Sequence, residues 1–347
     1  MPTLAIMSSG MVTALGFNAP ATLAALRAGI SAVGQTGWMD FESGDFLQGA
    51  KVGLPQWWEG LGKLAELLAP AIDECLHGVA PEARASIPLL IGVAAPDRPG
   101  RSARLDGELL EEVYDRLDMP RHPRSALFAG DQAGCAQALL VAQALLERGE
   151  AERVVVGGVD SFLHQPTLDG YMDRRRVMTP SNSNGFFPGE AGCAVLVGRP
   201  GTSDGDELWI HGHGLAVENA TIHGTEPLRA RGLTEAVQQA LRSAGVRMKD
   251  VAYRLTDLSG EHYKFKEALF TAGRLGGESE YSLELWHPIE YLGEIGAAVL
   301  PCLLAQAMHA VQEGYAPGPL ALCHVGSDSG ARAAFVVGLK RQGLGGV

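Results

Sequence analysis

The sequence predicts an α/β fold that is built from two similar halves. Segments typical of strands alternate with segments typical of helices, and this order favours a parallel-rich sheet covered by helices. Residues 189–198 and 329–338 also resemble each other, since each reads as a glycine-containing turn that leads into an apolar strand ending in glycine. A chain of 347 residues, 46% of them hydrophobic, is long enough for a duplicated unit and its core.

The first half contains strand and helix patterns that are separated by glycine, proline or polar residues. We expect strands at residues 3–13, 86–94, 125–129 and 154–156, and a loop with a strand at 186–197. We expect helices at residues 21–28, 61–76, 107–117 and 133–148. The last of these follows a sharp turn at Gly130, Asp131 and Gln132, and Gly149 ends it.

The second half repeats this alternation, and the boundary is expected near Pro200. We expect strands at residues 207–213, 251–257, 320–325 and 331–339. We expect helices at residues 233–244, 263–272 and 295–311. The predicted organisation is an N-terminal half at 1–200 and a C-terminal half at 201–347.

The charge of the chain restricts its partners. The formal net charge is −12 and the isoelectric point is near 5.3, so the chain offers no basic surface to nucleic acid. An acidic carrier protein would need a local basic patch. Arg174, Arg175 and Arg176 form the only run of three basic residues, and we interpret this run as a solvated turn.

The cysteines and the apolar runs indicate a cytoplasmic location. The five cysteines are odd in number and widely spaced, which is typical of reduced thiols: Cys75, Cys135, Cys193, Cys302 and Cys323. The start of the chain has no basic region followed by a long apolar run, so we expect no signal peptide. No apolar stretch reaches about 18 residues, so we expect no membrane span.

Four stretches, taken in order, resemble the β-ketoacyl synthase family, whose members have the thiolase fold. They are residues 6–30, residues 128–161, residues 184–197, and residues 293–298 together with 326–330. The resemblance covers most of the chain, and the second and third stretches are specific in combination. It implies the thiolase-like arrangement of α/β/α/β/α layers, with two mixed five-stranded sheets, and it agrees with the duplication predicted above.

The resemblance also implies that the catalytic nucleophile is missing. The family places a cysteine at the turn before the buried helix, where the helix N-terminus favours a thiolate and then an oxyanion. Counting back from Gly149 without gaps, that position is Gln132. A glutamine amide donates and accepts hydrogen bonds but cannot form a thioester.

The two family histidines are also absent from their expected positions. Residues 256–262 contain no HGTxT motif, which carries the first histidine in the family. The GHxxGAAG motif, which carries the second, matches residues 293–298 in its glycines and alanines, but its histidine position is Gly293. Pro288 replaces a lysine expected just before it, and a late glycine-rich loop of the family corresponds to the segment that begins at Gly326.

The segment Asp131-Gln132-Ala133-Gly134 resembles the chain-length factors of aromatic polyketide synthases, which lack the nucleophile and pair with a catalytic synthase. The resemblance therefore implies a non-catalytic binding, scaffolding or tunnel-shaping subunit. The expected assembly is a homodimer, or a heterodimer with a related synthase, formed through an edge strand centred on residues 154–156. An acyl carrier protein is a candidate partner. A secreted effector is another, if the chain serves as an adaptor in a secretion-associated cluster.

Two catalytic alternatives remain open. Cys135 lies one helical turn after Gln132, so an acyltransferase with a relocated nucleophile is one alternative, although a buried core thiol is the interpretation we favour. The other is decarboxylation of a malonyl group by Gln132. The residues expected around the tunnel mouth are Gln132, Gly293, His324 and Gly326. We expect no cofactor and no metal, and we expect Glu190 to bind backbone amides and Asp160 to cap a loop.

Overall fold

The computed structural model describes residues 3–40, 42–56, 59–203, 205–276 and 283–339. Within these ranges the strands are β1 (Leu4–Thr13), β2 (Gly34–Met39), β3 (Phe46–Gly49), β4 (Leu89–Val93), β5 (Ala126–Ala129), β6 (Arg153–Ser161), β7 (Glu190–Gly198), β8 (Leu208–Val217), β9 (Tyr253–Thr256), β10 (Glu284–Trp286), β11 (Leu320–Gly326) and β12 (Ala331–Leu339). The helices are α1 (Ala19–Arg27), α2 (Gly60–Cys75), α3 (Pro81–Arg84), α4 (Leu105–Leu117), α5 (Gly134–Glu147), α6 (Gln165–Asp173), α7 (Arg231–Ala244), α8 (His262–Leu275), α9 (Ile289–Leu292) and α10 (Val299–Gln312).

The strand order shows the same topology twice. The main sheet has the order β10-β9-β11-β12-β8-β1-β7-β6-β4-β5, which places β8–β12 on one side and the strands before residue 200 on the other. From the centre of the sheet outward, the five strands of each group form two antiparallel pairs and then two parallel pairs. The two groups meet where residues 4–6 pair with residues 208–210. The expected pair of five-stranded sheets is thus joined into one continuous ladder.

The helices form the layers that the α/β pattern predicts. Helices α5 and α10 belong to the central core, and α10 contacts strands of both groups. Helices α2 and α4 cover the outer face of the first group, while α7 packs on the second. Strands β4, β6, β7 and β11 are buried along nearly their whole length, because helices cover both faces.

Matching glycines allow each outer helix to lie directly on its strand. A Cβ atom at Gly10 in β1 would come within 1.9 Å of the Ala71 carbonyl oxygen in α2. A Cβ atom at Gly212 in β8 would come within 2.4 Å of the Ala240 carbonyl oxygen in α7. The absence of a side chain therefore permits a close approach of the helix to the sheet in both groups.

The prediction that residues 154–156 form an edge strand is wrong. Strand β6 lies between β4 and β7 and pairs with both. The edge of this group, among the strands that the structure describes, is β5, which precedes α5 instead of following it. A run of three valines is typical of a strand buried on both faces, and that burial excludes an edge position.

Candidate functional site

The turn before α5 fixes Gln132 in the interior. Residues Asp131–Ala133 form a 3-10 turn, and Gly296–Ala298 form the equivalent turn before α10. Both turns begin at positive φ, 49° for Asp131 and 50° for Gly296. A non-glycine residue keeps this conformation when its surroundings hold it, and here the Ala95 amide donates to Asp131 Oδ1 at 2.8 Å.

The Gln132 amide belongs to a buried chain of polar groups. Its Nε2 donates to Glu294 Oε1 at 3.2 Å, and the Gly296 amide donates to the same oxygen at 2.9 Å. Lys264 Nζ lies 3.3 Å from Glu294 Oε2 and 3.2 Å from Asp257 Oδ2. The four side chains of this polar network are all buried. The turn before α5 thus carries a neutral amide that is bound to a buried ion-pair network.

Lys264 supplies an ammonium group that was not predicted from the sequence. Burial by itself lowers the pKa of this lysine, but the carboxylates of Asp257 and Glu294 outweigh burial and raise it, so the ammonium stays charged. The lysine expected near Pro288 is therefore absent, while another lysine reaches this region from the first turn of α8. Its one sequence signal is its place on the helix that follows the strand predicted at residues 251–257.

His324 and Gly326 lie at the other end of this network. The Gly326 amide donates to Asp257 Oδ2 at 3.1 Å, and Thr256 Oγ1 lies 3.3 Å from His324 Nδ1. Burial, together with two nearby arginines, lowers the pKa of His324 to about 3, so the imidazole is neutral near pH 7. Both residues line a cavity of about 20 Å³, which has room for about one water molecule.

Gly293 has a packing role that excludes a histidine. Its φ is 66°, and a Cβ atom there would come within 2.9 Å of the carbonyl oxygens of Phe187 and Pro188. The chain beside it pairs with the Phe187 segment, since the Glu294 amide donates to the Phe187 oxygen at 2.7 Å. The structure therefore brings Gln132, His324 and Gly326 into one network with Glu294. Gly293 itself allows two backbone segments to lie close together.

A second buried ion-pair cluster surrounds Arg98. Its guanidinium lies 2.5 Å from Asp131 Oδ1 and 3.1 Å from Asp160 Oδ2, and it stacks 4.1 Å from the centre of the Phe162 ring. Burial lowers the pKa of Arg98, but the two carboxylates raise it further than burial lowers it. Asp160 also accepts from the Ala297 amide at 3.2 Å. Its Oδ1 accepts from the Ser161 amide at 2.9 Å, so the carboxylate caps backbone amides as predicted and binds a buried cation in addition.

The arginine run is only partly solvated. Arg174 and Arg175 are exposed, but Arg176 is buried with its Nε 2.6 Å from Glu261 Oε1 and its Nη2 3.1 Å from Asp328 Oδ1. The interpretation of the whole run as a solvated turn is wrong for Arg176, because Glu261 and Asp328, which are distant in sequence, pack against it.

Cys135 lies in the central core. It has no exposed surface, and its Sγ donates to the carbonyl oxygens of Gly157 and Ala297 at 3.2 and 3.3 Å. Burial raises the pKa of this thiol to about 12, which opposes the thiolate form. These surroundings are those of a packed thiol and not of a nucleophile that a thioester can reach.

Glu190 binds a backbone amide, as its place in the turn predicts. The Val52 amide donates to its Oε1 at 3.0 Å, and Ser161 Oγ donates to its Oε2 at 2.7 Å. Lys63 Nζ lies 2.6 Å from the same Oε2, an ion pair that the sequence did not reveal.

A larger cavity of about 570 Å³ lies beside the Arg98 cluster. Its apolar wall comes from Trp38, Val52, Leu54, Leu64, Leu105 and Leu163. Its polar wall includes Lys63, Arg98, Asp160 and Ser161. The first turns of α2, α4 and α6 border it. The predicted residues Gln132, Gly293, His324 and Gly326 are not among the described residues that line it.

The described part of the chain has neither a cluster of metal ligands nor a membrane-spanning helix. No group of three histidine, cysteine, aspartate or glutamate side chains there is placed to hold a metal ion. None of the helices in the described ranges is long and apolar enough to cross a membrane.

Solved structures with this architecture cover nearly the whole chain. No protein-family model matches it. A ketosynthase in complex with its chain length factor from Xenorhabdus doucetiae aligns over 98% of both chains, with a TM-score of 0.78 and 16% identity. A β-ketoacyl synthase from Burkholderia phymatum aligns over 98% of this chain and 100% of its own, with a TM-score of 0.75 and 17% identity. A type II polyketide ketosynthase, solved with its acyl-carrier protein, has a TM-score of 0.78 and 13% identity over 97% and 99% of the chains.

These similarities identify the fold as the thiolase-like fold of the ketosynthases. Within that fold, the chain is similar in structure both to β-ketoacyl synthases and to complexes of a ketosynthase with its chain length factor. The fold and the resemblance predicted from the sequence are thereby confirmed.

Proposed function

We propose that this protein is a non-catalytic ketosynthase homologue that binds an acyl-type ligand and a partner protein. The observation that supports this most directly is the state of Gln132. Its amide is buried, bonded to Glu294, and linked through that carboxylate to Lys264. A carbon–carbon bond-forming synthase needs a thiolate at this point, and the amide provides none.

The surrounding chemistry supports the same conclusion. Cys135, the nearest thiol along the helix, is packed in the core with a raised pKa. His324 is a neutral, buried imidazole with a lowered pKa, so it is a poor proton donor near pH 7. The charged groups beside Gln132 bind one another, and this ion pairing suits a structural network better than an acid or base that must exchange protons.

The cavity of about 570 Å³ is the proposed ligand site. Its leucine-rich wall fits the hydrocarbon part of an acyl chain, and the serine and charged groups at its other wall fit a polar end. The Arg98 cluster forms part of this wall and continues to Asp131, the neighbour of Gln132. A ligand in the cavity would therefore be separated from Gln132 by an ion pair and not joined to it.

The proposed partner is a related synthase. One similar structure is a ketosynthase with its chain length factor. In this chain, β5 offers an edge at which a second sheet could continue. A secretion-associated effector remains the competing partner, and purification of the chain with its bound proteins from its native cell distinguishes the two.

The first test is intact-protein mass spectrometry after incubation with acyl-CoA and acyl-carrier thioesters, with peptide mapping of any adduct. Cys135→Ala and Cys193→Ala form a matched pair, because both thiols are fully buried. We expect no adduct on the wild-type chain or on either variant. A wild-type adduct that Cys135→Ala alone removes would overturn the proposal and establish an acyltransferase with a relocated nucleophile.

A further inference from the structure

The outward face of α8 combines large apolar side chains with positive charge. Phe265, Leu269 and Phe270 leave 41%, 70% and 36% of their surfaces exposed. Helical spacing places Lys266 on the same face, with its Nζ 5.5 Å from the centre of the Phe270 ring. Monomeric proteins rarely group apolar side chains in this way without a binding role.

The opposite face of α8 is buried and holds the only acidic residue of the helix. Lys264, Glu267, Ala268 and Thr271 face inward. Glu267 lies 2.9 Å from Arg332 Nε, so its charge is neutralised inside the protein. The outward face of α8 therefore carries no negative charge of its own.

Positive charge continues from α8 to the start of α7. Arg274 donates from Nη1 to the carbonyl oxygen of Arg229, and Arg229 and Arg231 are exposed. No carboxylate of the described residues forms an ion pair with either of these two arginines. The three arginines border a groove of about 450 Å³, and Glu235 in its wall is paired with Arg242.

We propose that this surface docks an acidic amphipathic helix of a partner protein. We call it the α8 surface, and it consists of Arg229, Arg231, Phe265, Lys266, Leu269, Phe270 and Arg274. The chain as a whole has a net charge of −12, so its overall field repels an acidic partner and a local basic patch would fix the partner's position. The apolar side chains supply the contacts that exclude water.

The shape of α8 suits a helix more than a flat bilayer. A Cβ atom at Gly273, on the outward side, would meet nothing within 4 Å, so the surface has a low point beside Leu269 where a partner helix can approach closely. A bilayer would bring the net negative charge of the whole chain toward anionic headgroups, which disfavours it. Arg174 and Arg175 offer no comparable site, because they lack an apolar neighbour of this kind among the exposed residues near them in sequence.

The test uses a bacterial acyl carrier protein in its apo form as the probe, since a related ketosynthase was solved with such a protein. The apo form lacks the prosthetic arm, so its binding reports the protein surface alone and involves no thioester. The result is therefore readable even if the proposed non-catalytic function proves wrong. Affinity is measured by calorimetry at low and high salt for the wild type, Lys266→Glu with Arg231→Glu, Leu269→Ser and Arg174→Glu.

We expect the charge-reversal variant to weaken binding at least about tenfold and Leu269→Ser about fivefold. Arg174→Glu is the matched control and should bind as the wild type does. Wild-type affinity should fall as salt rises, because the charges are exposed and screened. The proposal is overturned by no saturable wild-type binding, by equal affinity in all variants, or by Leu269-dependent binding to phosphatidylcholine–phosphatidylglycerol vesicles in place of the carrier protein.

Discussion

Arg98 is the cation that both Asp131 and Asp160 contact, so its removal leaves two buried carboxylates without an opposite charge. Taking one partner out of a buried ion pair is costly, because the remaining charge stays desolvated. We predict that Arg98→Ala lowers the free energy of unfolding by about 3–5 kcal/mol. Urea denaturation at pH 7 measures this change.

The pH dependence of the same variant provides an internal check. Burial raises the pKa of Asp160 and Arg98 lowers it, so without Arg98 this pKa rises further and the folded variant binds a proton more tightly than the unfolded chain does. Relative to the wild type, the variant should then lose stability as the pH rises from the unfolded pKa of Asp160 through its raised pKa in the folded variant. Arg98→Met combined with Asp131→Asn and Asp160→Asn should cost less than Arg98→Ala, because no charge is left unpaired.

Arg104→Ala is the control for this prediction. Arg104 pairs with Glu108 on the surface of the protein, where solvent screens the charges, so its loss should not change stability measurably. Equal effects of Arg98→Ala and Arg104→Ala would show that burial of the Arg98 cluster does not matter to stability.

At the scale of the elements, the sequence predicted what depends on local pattern. The long apolar runs and periodic helices were placed within a few residues of their observed ends, as the expected strand at 331–339 and the observed β12 show. The hairpin of β2 and β3, the helix α6 and the strand β10 were not predicted, because they are short and lack a clear apolar period.

The site was predictable only in part, because several of its contacts join elements that lie far apart in sequence. Gln132 follows from spacing along one helix, so a gap-free count locates it. The contact of Lys264 with Glu294 joins two elements and depends on how the second group of strands folds. Arg176 shows the same limit, since a run of arginines reads as solvated until Glu261 and Asp328 are placed around one of them.

Helix α2 supplies part of the wall of the proposed ligand cavity. Leu64 projects from α2 into the lining, so Leu64→Trp should reduce the volume of about 570 Å³ and block an acyl ligand. We predict that decanoyl-pantetheine raises the stability of the wild type, by about 2.7 kcal/mol at a hundredfold excess over Kd, and does not stabilise the variant. Differential scanning calorimetry measures both.

The exposed Leu269 provides the control for the cavity, because Leu269→Trp adds the same bulk on α8, away from the lining residues. This variant should respond to decanoyl-pantetheine as the wild type does. If decanoyl-pantetheine stabilises Leu64→Trp as much as the wild type, the proposal that the ligand binds in this cavity is wrong.

For the whole molecule, the duplicated topology leaves the described sheet with β5 at one end and the three-residue β10 at the other. The side chains of β5 are half-buried and no described strand pairs with its outer edge, and both features favour continuation into a second chain. The net charge of −12 opposes the pairing of two identical chains, so a less acidic synthase is the better partner. The open edge of β5 and the net charge of the chain together favour a heterodimer that forms through β5.

We predict that Ala126→Lys on β5 prevents this association without unfolding the chain, because Ala126 is half-buried and a lysine can direct its ammonium to solvent. Light scattering across a concentration series, for the chain alone and mixed with a synthase from its own genome, measures the assembly. Arg148→Glu, exposed beyond the end of α5, should associate as the wild type does. Association that survives Ala126→Lys with unchanged affinity would place the interface away from β5, and the duplicated sheet would then end in solvent at this edge.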